Sequence, residues 1–422
     1  MDKKVLWVWL SLLFKDSGYI FKKLYDSFGS IEAIYDTDDA DLSRATWLFP
    51  AFKKRILDKN LSDAKSTIEW CNKYGVEVLT PEDEKYPKCL FQLDDYPAVL
   101  YCYGNLPDFD NQLCITVVGT RDMTVYGRES SYVLGYGLAK AGAVVVSGMA
   151  KGIDCTTQKG ALFANGTTVA VLGCGINVVY PKENFDLMLK IMKTGAVITE
   201  FPPFTPPNAF NFPKRNRIMS ALSKGTVVVE AGINSGSLIT ARISNELKRD
   251  VYAYPSSVNH YFSKGTNDLL MNDEAKLVTC ALDVIEHYLG DYKLDITASK
   301  QTPVFDNVKR ERIEDFMTSG FWANEGRLQK STKKVKEKPN KKAKKEKEKI
   351  SEEKQDIKVD LSSLSEQEKI VYMAFEDGNT HSLDTLLEKC PTLTPNLILP
   401  VIVTLQIKGL IGDAPGGLYI KK

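Results

Sequence analysis

The chain has 422 residues and carries 55 lysines and arginines against 54 aspartates and glutamates, for a formal net charge of +1. This length is well above the size at which a single hydrophobic core stops growing, so we expect two or three domains. Residues 330–349 carry +8, which leaves −7 for the remainder of the chain. A uniformly basic nucleic-acid-binding surface is therefore excluded, and any polyanion site must be a local concentration of positive charge.

The cysteines and histidines predict no metal centre. No two of the eight cysteines stand at the spacing of a metal-binding pair, and several lie in apolar runs, so we expect buried thiols in a reducing compartment. The three histidines, His260, His287 and His381, lie away from the glycine motifs. We predict neither a metal ion nor histidine acid–base catalysis.

Residues 1–72 predict a small helical domain. Apolar residues from Val5 to Leu10 follow Lys3 and Lys4, as in a secretory signal. No small-residue cleavage site comes after them, and no stretch reaches the roughly 18 to 20 apolar residues that span a bilayer. We predict a buried first helix in a cytoplasmic protein, with further helices at 20–28, 30–35, 39–45 and 52–70. The turn at Gly29 could bind duplex phosphates, but a packing role is preferred.

Between residues 73 and 292, apolar strands alternate with helical segments. Strands are expected at 113–118, 143–147, 167–172, 196–199, 226–229 and 250–254, with helices at 126–141, 154–164, 183–193, 216–223 and 237–248. This alternation is typical of an α/β fold with a parallel sheet covered by helices on both faces. Such sheets bind ligands at the carboxyl ends of their strands, so we expect the functional residues there.

Residues 293–360 are predicted to be a flexible linker, because their lysine-rich centre cannot bury enough apolar surface to fold. Residues 361–422 recover periodicity, with helices expected at 366–375, 383–388 and 396–408, then a hairpin turning at 412–417. This is the pattern of a winged-helix domain. Such a domain often binds duplex DNA through its third helix, yet 396–405 carries almost no cations. A contact with another protein, or a structural role, is an equally good interpretation.

The turn after the first predicted strand carries Gly119, Thr120 and Arg121. Glycine lets backbone amides approach a phosphate closely, and the guanidinium of Arg121 would add a bidentate cation. The spacing matches neither the dinucleotide fingerprint nor a P-loop, and the pair Gly173 and Gly175 lacks a third glycine. We therefore argue against NAD, against ATP hydrolysis and against any small-molecule cofactor.

Two further turns lie between a strand and a helix. Ser147, Gly148 and Lys151 follow the second strand, and Lys151 could face a phosphate. Asp154 behind them is expected to cap the next helix, with a binding role as the alternative. The turn at 235–237 offers hydroxyls and free amides to an anion, and simple helix capping is an equal alternative.

The run Lys214, Arg215, Asn216 and Arg217 places three cations and an amide within an otherwise apolar stretch. A solvated helix face usually mixes charge signs, so this run predicts contact with phosphates, while flat apolar neighbours meet base rings. Surface cations at a helix N-terminus are the alternative. The phosphate interpretation requires Arg121 and Arg217 to lie on one side of the molecule and outside interior ion pairs.

Glu200 and Glu230 follow the fourth and fifth predicted strands, where a nucleotide-cleaving enzyme of this fold would keep a general base or nucleophile. No histidine, cysteine dyad or metal-ligand set accompanies them. We therefore predict a binding protein without catalysis. The alternative is an enzyme or sensor of a nucleotide-derived small ligand, with Glu200 or Glu230 as catalyst.

Together these motifs resemble the DNA-processing protein A family (DprA, also called Smf) over almost all of residues 75–290. The resemblance rests on Gly119-Thr120-Arg121 with Tyr126-Gly127, Ser147-Gly148 with Gly152-Ile153-Asp154, Tyr180-Pro181, Arg215-Asn216-Arg217-Ile218, Val229-Glu230-Ala231, Ser235-Gly236-Ser237 and Ser263-Lys264-Gly265. It implies an extended Rossmann fold that holds single-stranded DNA and forms a homodimer. It also implies that the protein hands the DNA to a RecA-type recombinase during natural transformation, without catalysis.

The resemblance further implies which residues contact DNA. Carried over position by position, with Lys151 added from its place in the second turn, they are Gly119, Thr120, Arg121, Ser147, Gly148, Lys151, Lys214, Arg215, Asn216, Arg217, Ser235, Gly236 and Ser237. Three positions depart from the family pattern: Thr120 stands for serine, Gln158 for histidine and Ser256 for glycine. Thr120 and Gln158 keep hydrogen-bonding side chains, and Ser256 would strain a turn only if a positive φ is needed there.

Overall fold

The computed structural model describes residues 2–14 and 18–300 and part of 364–421. The chain divides into two units, one within Met1–Lys336 and the other within Glu337–Lys422. Most of the predicted linker, with its lysine-rich centre, lies outside the described residues. The part of it that is described, 293–300, contains a short helix at Ile296–Ser299.

Six helices precede the sheet: α1 Lys3–Leu13, α2 Gly18–Phe28, α3 Ile31–Asp36, α4 Asp39–Arg44, α5 Pro50–Asp58 and α6 Ser62–Tyr74. The buried first helix is confirmed, because Trp7 and Trp9 of α1 are almost fully buried. The single helix predicted at 52–70 is wrong. Two helices replace it, since Lys59 takes a left-handed φ of 50° that ends α5. Gly29, with a φ of 79°, makes the predicted turn between α2 and α3.

A nine-stranded sheet forms the centre of the first unit. Its strands are β1 Glu77–Leu79, β2 Leu100–Gly104, β3 Cys114–Val118, β4 Val144–Ser147, β5 Thr168–Val171, β6 Ala196–Thr199, β7 Gly225–Val228, β8 Asp250–Ala253 and β9 Lys276–Leu277. Their spatial order is β1-β2-β6-β5-β4-β3-β7-β8-β9. Strands β3 to β9 pair in parallel, and the six predicted strands are confirmed to within one residue at each end.

Three outer strands were not predicted. Strand β2 runs antiparallel to β6, with Tyr101 opposite Thr199, and β1 runs antiparallel to β2. These two strands and β9 have five, three and two residues, respectively, which is too short to show a recognisable period. The sheet is therefore mixed, with a parallel centre.

Both faces of the sheet are buried, as predicted. On β3, Cys114 and Val118 belong to one hydrophobic cluster, whereas Ile115 and Val117 belong to another, because successive strand residues point to opposite faces. The remaining α-helices that the structure describes in this unit are α7 Val125–Lys140, α8 Ile153–Phe163, α9 Phe185–Thr194, α10 Asn211–Leu222, α11 Gly236–Glu246, α12 Lys264–Met271, α13 Ala281–Ile285 and α14 Ile296–Ser299.

The N-terminal helices share a hydrophobic core with the sheet. The ring of Phe21 on α2 meets that of Tyr96 edge-on, with 4.9 Å between centroids, and that of Trp7 on α1 at 5.8 Å. Tyr96 lies just before β2, so these aromatic contacts bring α1 and α2 against the outer part of the sheet.

The second unit has a hydrophobic core of its own, which includes Val371, Phe375 and Ile402. Helix α15, Glu366–Met373, is capped by Ser365, which forms a capping box with Glu368. Strands β10 Ile411–Ala414 and β11 Leu418–Lys421 form the predicted hairpin. The predicted helices 383–388 and 396–408 lie largely outside the described residues, and the role of the winged helix stays a prediction.

Seven of the eight cysteines are buried thiols, as predicted. Cys280 is the exception, because it stands exposed at the start of α13. None of the helices in the part of the chain that the structure describes has the length and apolar character needed to cross a membrane.

Candidate nucleic-acid interface

A cavity of about 500 Å³ lies at the carboxyl ends of β3, β4 and β7. We call it the strand-edge cavity. It is lined by the turn after β3, the start of α8, helix α10 and the first turn of α11. From the predicted DNA contacts it contains Gly119, Thr120, Arg121, Arg215, Asn216, Ser235, Gly236 and Ser237. The structure thus brings together three motifs that are far apart in sequence, at the edge where parallel sheets bind ligands.

The turn after β3 is held from both sides. Its Thr120 N–H donates to the carbonyl of Glu230 at 2.7 Å, and its Thr120 carbonyl accepts from the N–H of Ile153 at 3.2 Å. Gly152 lies against this turn with a φ of 89°, and a Cβ on it would overlap the Thr120 carbonyl and approach that of Arg121 to 2.7 Å. Glycine at 152 is therefore required for the position of Arg121.

Gly152→Ala is expected to lower the free energy of unfolding by about 2 kcal/mol, because alanine must adopt a left-handed φ and displace the backbone of the 120–121 turn. Urea unfolding followed by circular dichroism measures this change. Gly290→Ala is the matched control, since a Cβ there meets nothing within 4 Å. Equal midpoints for the two variants would contradict the close packing of this turn.

Arg121 is exposed, and its guanidinium lies over the ring of Phe212, 5.4 Å from the ring centroid. The ring of Phe212 in turn lies 5.4 Å from that of Tyr180, which is partly exposed. Where a guanidinium lies over aromatic rings, the guanidinium can bind a phosphate while the rings stack on a base. Phe212 is the apolar neighbour of the cation run that was expected to meet a base ring, and this role stays a prediction. Tyr180 was noted only as part of a family motif and was not a predicted contact.

Arg215 forms part of the interior of the cavity wall. It is buried, donates to the carbonyl of Val171, and donates from Nε to the Asn216 amide oxygen at 3.1 Å. Burial lowers the pKa of Arg215, and the nearby Asp154 opposes this effect. Burial likewise raises the pKa of Asp154, against the charge of Arg215. The guanidinium is thus buried beside a carboxylate and hydrogen-bonded inside the protein, so Arg215 is not the exposed cation that the sequence suggested.

Asp154 does not cap α8 as predicted. The residue at the N-cap position is Gly152, and the carboxylate of Asp154 accepts from the N–H of Gly148 at 3.2 Å. It therefore holds the turn after β4.

Ser147 and Gly148 serve the same turn. The hydroxyl of the fully buried Ser147 donates to the carbonyl of Val117 at 2.7 Å, and a Cβ on Gly148 would overlap the guanidinium of Arg215. Neither residue lines the strand-edge cavity. Lys151 is exposed, next to Ala150 of the lining.

The four-residue cation run is not one open cluster, and this corrects the sequence argument. Helix α10 begins at Asn211, so the run lies inside a helix and its side chains point to different sides. Arg217 is buried and forms ion pairs with Asp95 at 2.8 Å and with Glu200 at 2.7 Å. These carboxylates raise the pKa of Arg217 although burial opposes the charge. The positive rim expected from Arg121 and Arg217 together is absent, and Arg121 is the exposed arginine of the predicted set.

The first turn of α11 faces the cavity with its backbone amides. Ser235 is the N-cap, and its hydroxyl accepts from the N–H of Ser237 at 3.4 Å and lies 2.7 Å from the Ser237 hydroxyl. The carbonyl of Gly236 accepts from the amide of Asn216 at 3.3 Å, which ties α10 to α11. The N-terminus of a helix is electropositive and suits an anion. The predicted capping is therefore confirmed, and the supply of backbone amides to an anion stays a prediction.

Neither candidate catalytic carboxylate lines the strand-edge cavity. Glu230 is buried and accepts from the N–H of Thr124 at 2.9 Å and from its hydroxyl at 2.5 Å, which fixes the start of α7. Glu200 pairs with Arg217 on the other side of α10. Both carboxylates thus have structural partners that the sequence did not reveal: Arg217 for Glu200, 17 positions away, and Thr124 for Glu230, 106 positions away.

The three departures from the family pattern differ in how well they are accommodated, because the Oε1 atom of Gln158 is buried without a hydrogen-bond partner among the described residues. Gln158 is buried and donates to the carbonyl of Val169 at 3.1 Å, away from the cavity. Ser256 is not one of the described residues that have a positive φ, so a serine at this position causes no backbone strain. Thr120 uses its hydroxyl to accept from the N–H of Asp122 at 3.2 Å.

The fold and this cavity define a Rossmann-like α/β protein with a cleft at the carboxyl ends of parallel strands. The family model of DNA recombination-mediator protein A matches residues 77–289, half of the chain. The chain belongs to this family, which confirms the resemblance drawn from its motifs.

Curated relatives and a solved structure are similar over the same region. Protein Smf from Escherichia coli (strain K12) is 36% identical over 260 residues, 60% of this chain and 69% of that protein. DNA processing protein DprA from Streptococcus pneumoniae is 36% identical over 258 residues, 61% of this chain and 81% of that protein. The X-ray structure of DNA processing protein A (DprA) from Streptococcus pneumoniae has a TM-score of 0.58 and 32% identity, covering 66% of this chain and 97% of that chain.

Proposed function

We propose that this chain binds single-stranded DNA in the strand-edge cavity, protects it, and loads a RecA-type recombinase onto it as a homodimer during natural transformation or DNA recombination. One observation carries the DNA-binding part. The exposed guanidinium of Arg121 lies over the ring of Phe212, beside the amides of the first turn of α11. The names of the curated relatives support DNA as the class of ligand.

An unpaired DNA strand fits this arrangement better than a duplex does. Base–aromatic stacking needs a base with an open face, and the rings of Phe212 and Tyr180 offer one partly exposed aromatic surface. The bases of a duplex are already stacked on each other. We therefore expect a preference for single strands with little sequence specificity.

The salt dependence of binding is expected to be shallow. Lys/Arg contacts to a single strand lower log affinity by about 0.7 per neutralised phosphate for each log unit of salt. Three or four contacts predict a slope of roughly −2 to −3. Because Arg215 and Arg217 are buried with partners inside the protein, a slope nearer to about −2 than to −3 is expected. Fluorescence anisotropy in a series of KCl concentrations measures the slope, and a slope near zero would contradict phosphate contacts.

The ligand class is tested by a titration with a single-stranded oligomer, the matching duplex and free mononucleotides as competitors. The proposal expects the oligomer to bind best and mononucleotides to compete weakly. Competition by a mononucleotide at micromolar concentration, or its conversion to a product, would instead favour the enzyme or sensor alternative. Glu200→Gln and Glu230→Gln would then be the variants to assay for turnover.

The homodimer and the recombinase contact are tested separately from DNA binding. Sedimentation of the full chain at several concentrations reports its oligomeric state. Loading is measured as the rate at which a RecA-type recombinase forms filaments on an oligomer already bound by this protein. A monomer at all concentrations, or filament formation no faster than on naked DNA, would contradict these parts of the proposal.

A further inference from the structure

A second cavity, of about 280 Å³, lies between the N-terminal helices and the outer part of the sheet. We call it the α1–α10 cavity. Its walls come from α1 and α2, from the segment before β2, from the loop after β6, and from α10. Residues of its lining that matter below are Ser11, Tyr96, Glu200, Asn208, Asn211, Lys214 and Arg217. No motif of the sequence pointed to this cavity.

Helix α10 and the loop before it are shared between the two cavities. Pro207 and Ala209 line the strand-edge cavity, whereas Pro206 and Asn208 line the α1–α10 cavity. On the helix, Phe212, Arg215 and Asn216 face the first cavity, and Asn211, Lys214 and Arg217 face the second. The three-residue spacing of the latter set places its members on one helical face. The cation run is therefore divided between two neighbouring cavities.

Two side chains that line the α1–α10 cavity carry buried hydrogen-bonding atoms without a partner in the part of the chain that the structure describes. Among the described residues, the Nη1 group of Arg217 and the Oε1 atom of Glu200 are buried without a hydrogen-bond partner. The other polar atoms of these two side chains form the Arg217–Glu200 and Arg217–Asp95 ion pairs. A buried donor and a buried acceptor without partners are costly, and together they suit a ligand that offers an acceptor and a donor.

An exposed aromatic residue lies in the chain between the linings of the two cavities. Phe210 stands between Ala209 of the first cavity and Asn211 of the second, and it is 80% exposed. An exposed ring of this kind is a stacking surface for a base of a single strand that crosses from one cavity to the other.

We propose that the α1–α10 cavity receives one base of the DNA strand whose neighbouring nucleotides occupy the strand-edge cavity. Arg217 Nη1 donates to a ring or carbonyl acceptor of that base, and Glu200 Oε1 accepts from a base N–H. Tyr96 and Phe201 supply apolar contact for its ring, and Lys214 meets the adjoining phosphate. All four bases carry an acceptor and an N–H donor, so the cavity selects for a base without selecting its identity. This inference rests on the proposed single-strand binding.

The cavity size agrees with a single base. Pockets for drug-sized molecules have about 300–1,000 Å³, so a cavity at the lower limit of that range takes one flat ring system but not a run of nucleotides. Its apolar wall includes Leu10 and Phe14 of α1 and Phe21 of α2. The proposed DNA-binding surface therefore includes the N-terminal helices, a role that their sequence did not predict.

The test uses the shortest oligomer that binds the full chain with full affinity and moves a single abasic site along it. At one position outside the strand-edge contacts, the missing base is expected to weaken wild-type binding about tenfold. Ser11→Leu fills the α1–α10 cavity from α1, and in this variant the same abasic site should cost no more than about twofold. Ser27→Leu is the matched control, because Ser27 is an exposed helical serine away from the cavity, and it should keep the wild-type profile.

A second measurement does not depend on a variant that folds. With 2-aminopurine placed at each position of the oligomer on the wild-type chain, one position beyond the strand-edge contacts should be protected from acrylamide quenching at least about fivefold more than its neighbours. Uniform quenching, or an abasic profile that Ser11→Leu leaves unchanged, would overturn the second cavity as a base site. If Arg121→Ala also leaves oligomer affinity unchanged, the proposed function itself fails; if Arg121→Ala weakens binding, only the base site fails.

Discussion

Arg121→Ala is expected to weaken binding of a single-stranded oligomer at least tenfold and to leave the urea midpoint unchanged. Arg121 is the exposed arginine at the strand-edge cavity, and its guanidinium lies over Phe212 without an ion-pair partner among the described residues. The substitution removes the proposed phosphate contact and the guanidinium that lies over the Phe212 ring, but it leaves no buried charge unpaired. Anisotropy titration at fixed salt measures the change in affinity.

Two companion variants sharpen this experiment. Arg242→Ala removes one positive charge from the exposed side of α11 and should change affinity less than about twofold, since long-range charge effects are screened within a Debye length of about 8 Å. Arg121→Lys should bind with intermediate affinity, because lysine keeps the charge but loses the planar fork. If Arg121→Ala and Arg242→Ala had the same affinity, the binding surface would have to lie elsewhere.

Arg217→Ala is expected to lower the free energy of unfolding by about 3 kcal/mol. The side chain of Arg217 is 11% exposed and that of Glu200 is 16% exposed, so the variant leaves a nearly buried carboxylate without its partner. Asp95, at 41% exposure, is partly solvated and adds little to this cost. Urea unfolding of the full chain, analysed for the transition of the first unit, measures the effect.

Lys276→Ala provides the comparison for Arg217→Ala. Lys276 forms an ion pair with Asp250, and the two side chains are 53% and 36% exposed. Losing this pair should therefore lower the free energy of unfolding by less than about 1 kcal/mol. Comparable losses in the two variants would mean that the Arg217 ion pairs contribute no more than a surface pair does. Replacing Glu200 and Arg217 together should recover part of the stability lost in Arg217→Ala, because no charge is then left unpaired.

From the sequence, Arg121 and Arg217 were both expected to contact phosphates, but the structure places them in different surroundings. Arg121 and the amides of α11 present positive potential to solvent, whereas Arg217 fastens α10 to Asp95 before β2 and to Glu200 after β6. The attachment of α10 bears on the proposed binding, because that helix forms a wall of both cavities. The proposal therefore assigns the phosphate contact and the support of the binding surface to different residues.

The sequence by itself determined the central sheet and the place of the principal cavity. Regular alternation of apolar strands with helical segments sets the parallel order, and turns such as 119–121 and 235–237 necessarily follow strands at one edge of such a sheet. Periodicity and turn chemistry are local, so they can be recognised without knowing which segments meet. The family resemblance followed from the same turns.

Only the tertiary structure decided which charged side chains are exposed to solvent. Arg217 and its partner Asp95 are separated by 122 positions, and no local pattern predicts that pairing. The antiparallel addition of β1 and β2, and the contact of Phe21 with Tyr96, likewise depend on packing between distant segments. A charge in a sequence shows its sign, whereas its exposure depends on every segment that folds against it. For that reason the two arginines, which look alike in the sequence, differ in the structure: Arg121 is exposed, and Arg217 is buried in ion pairs.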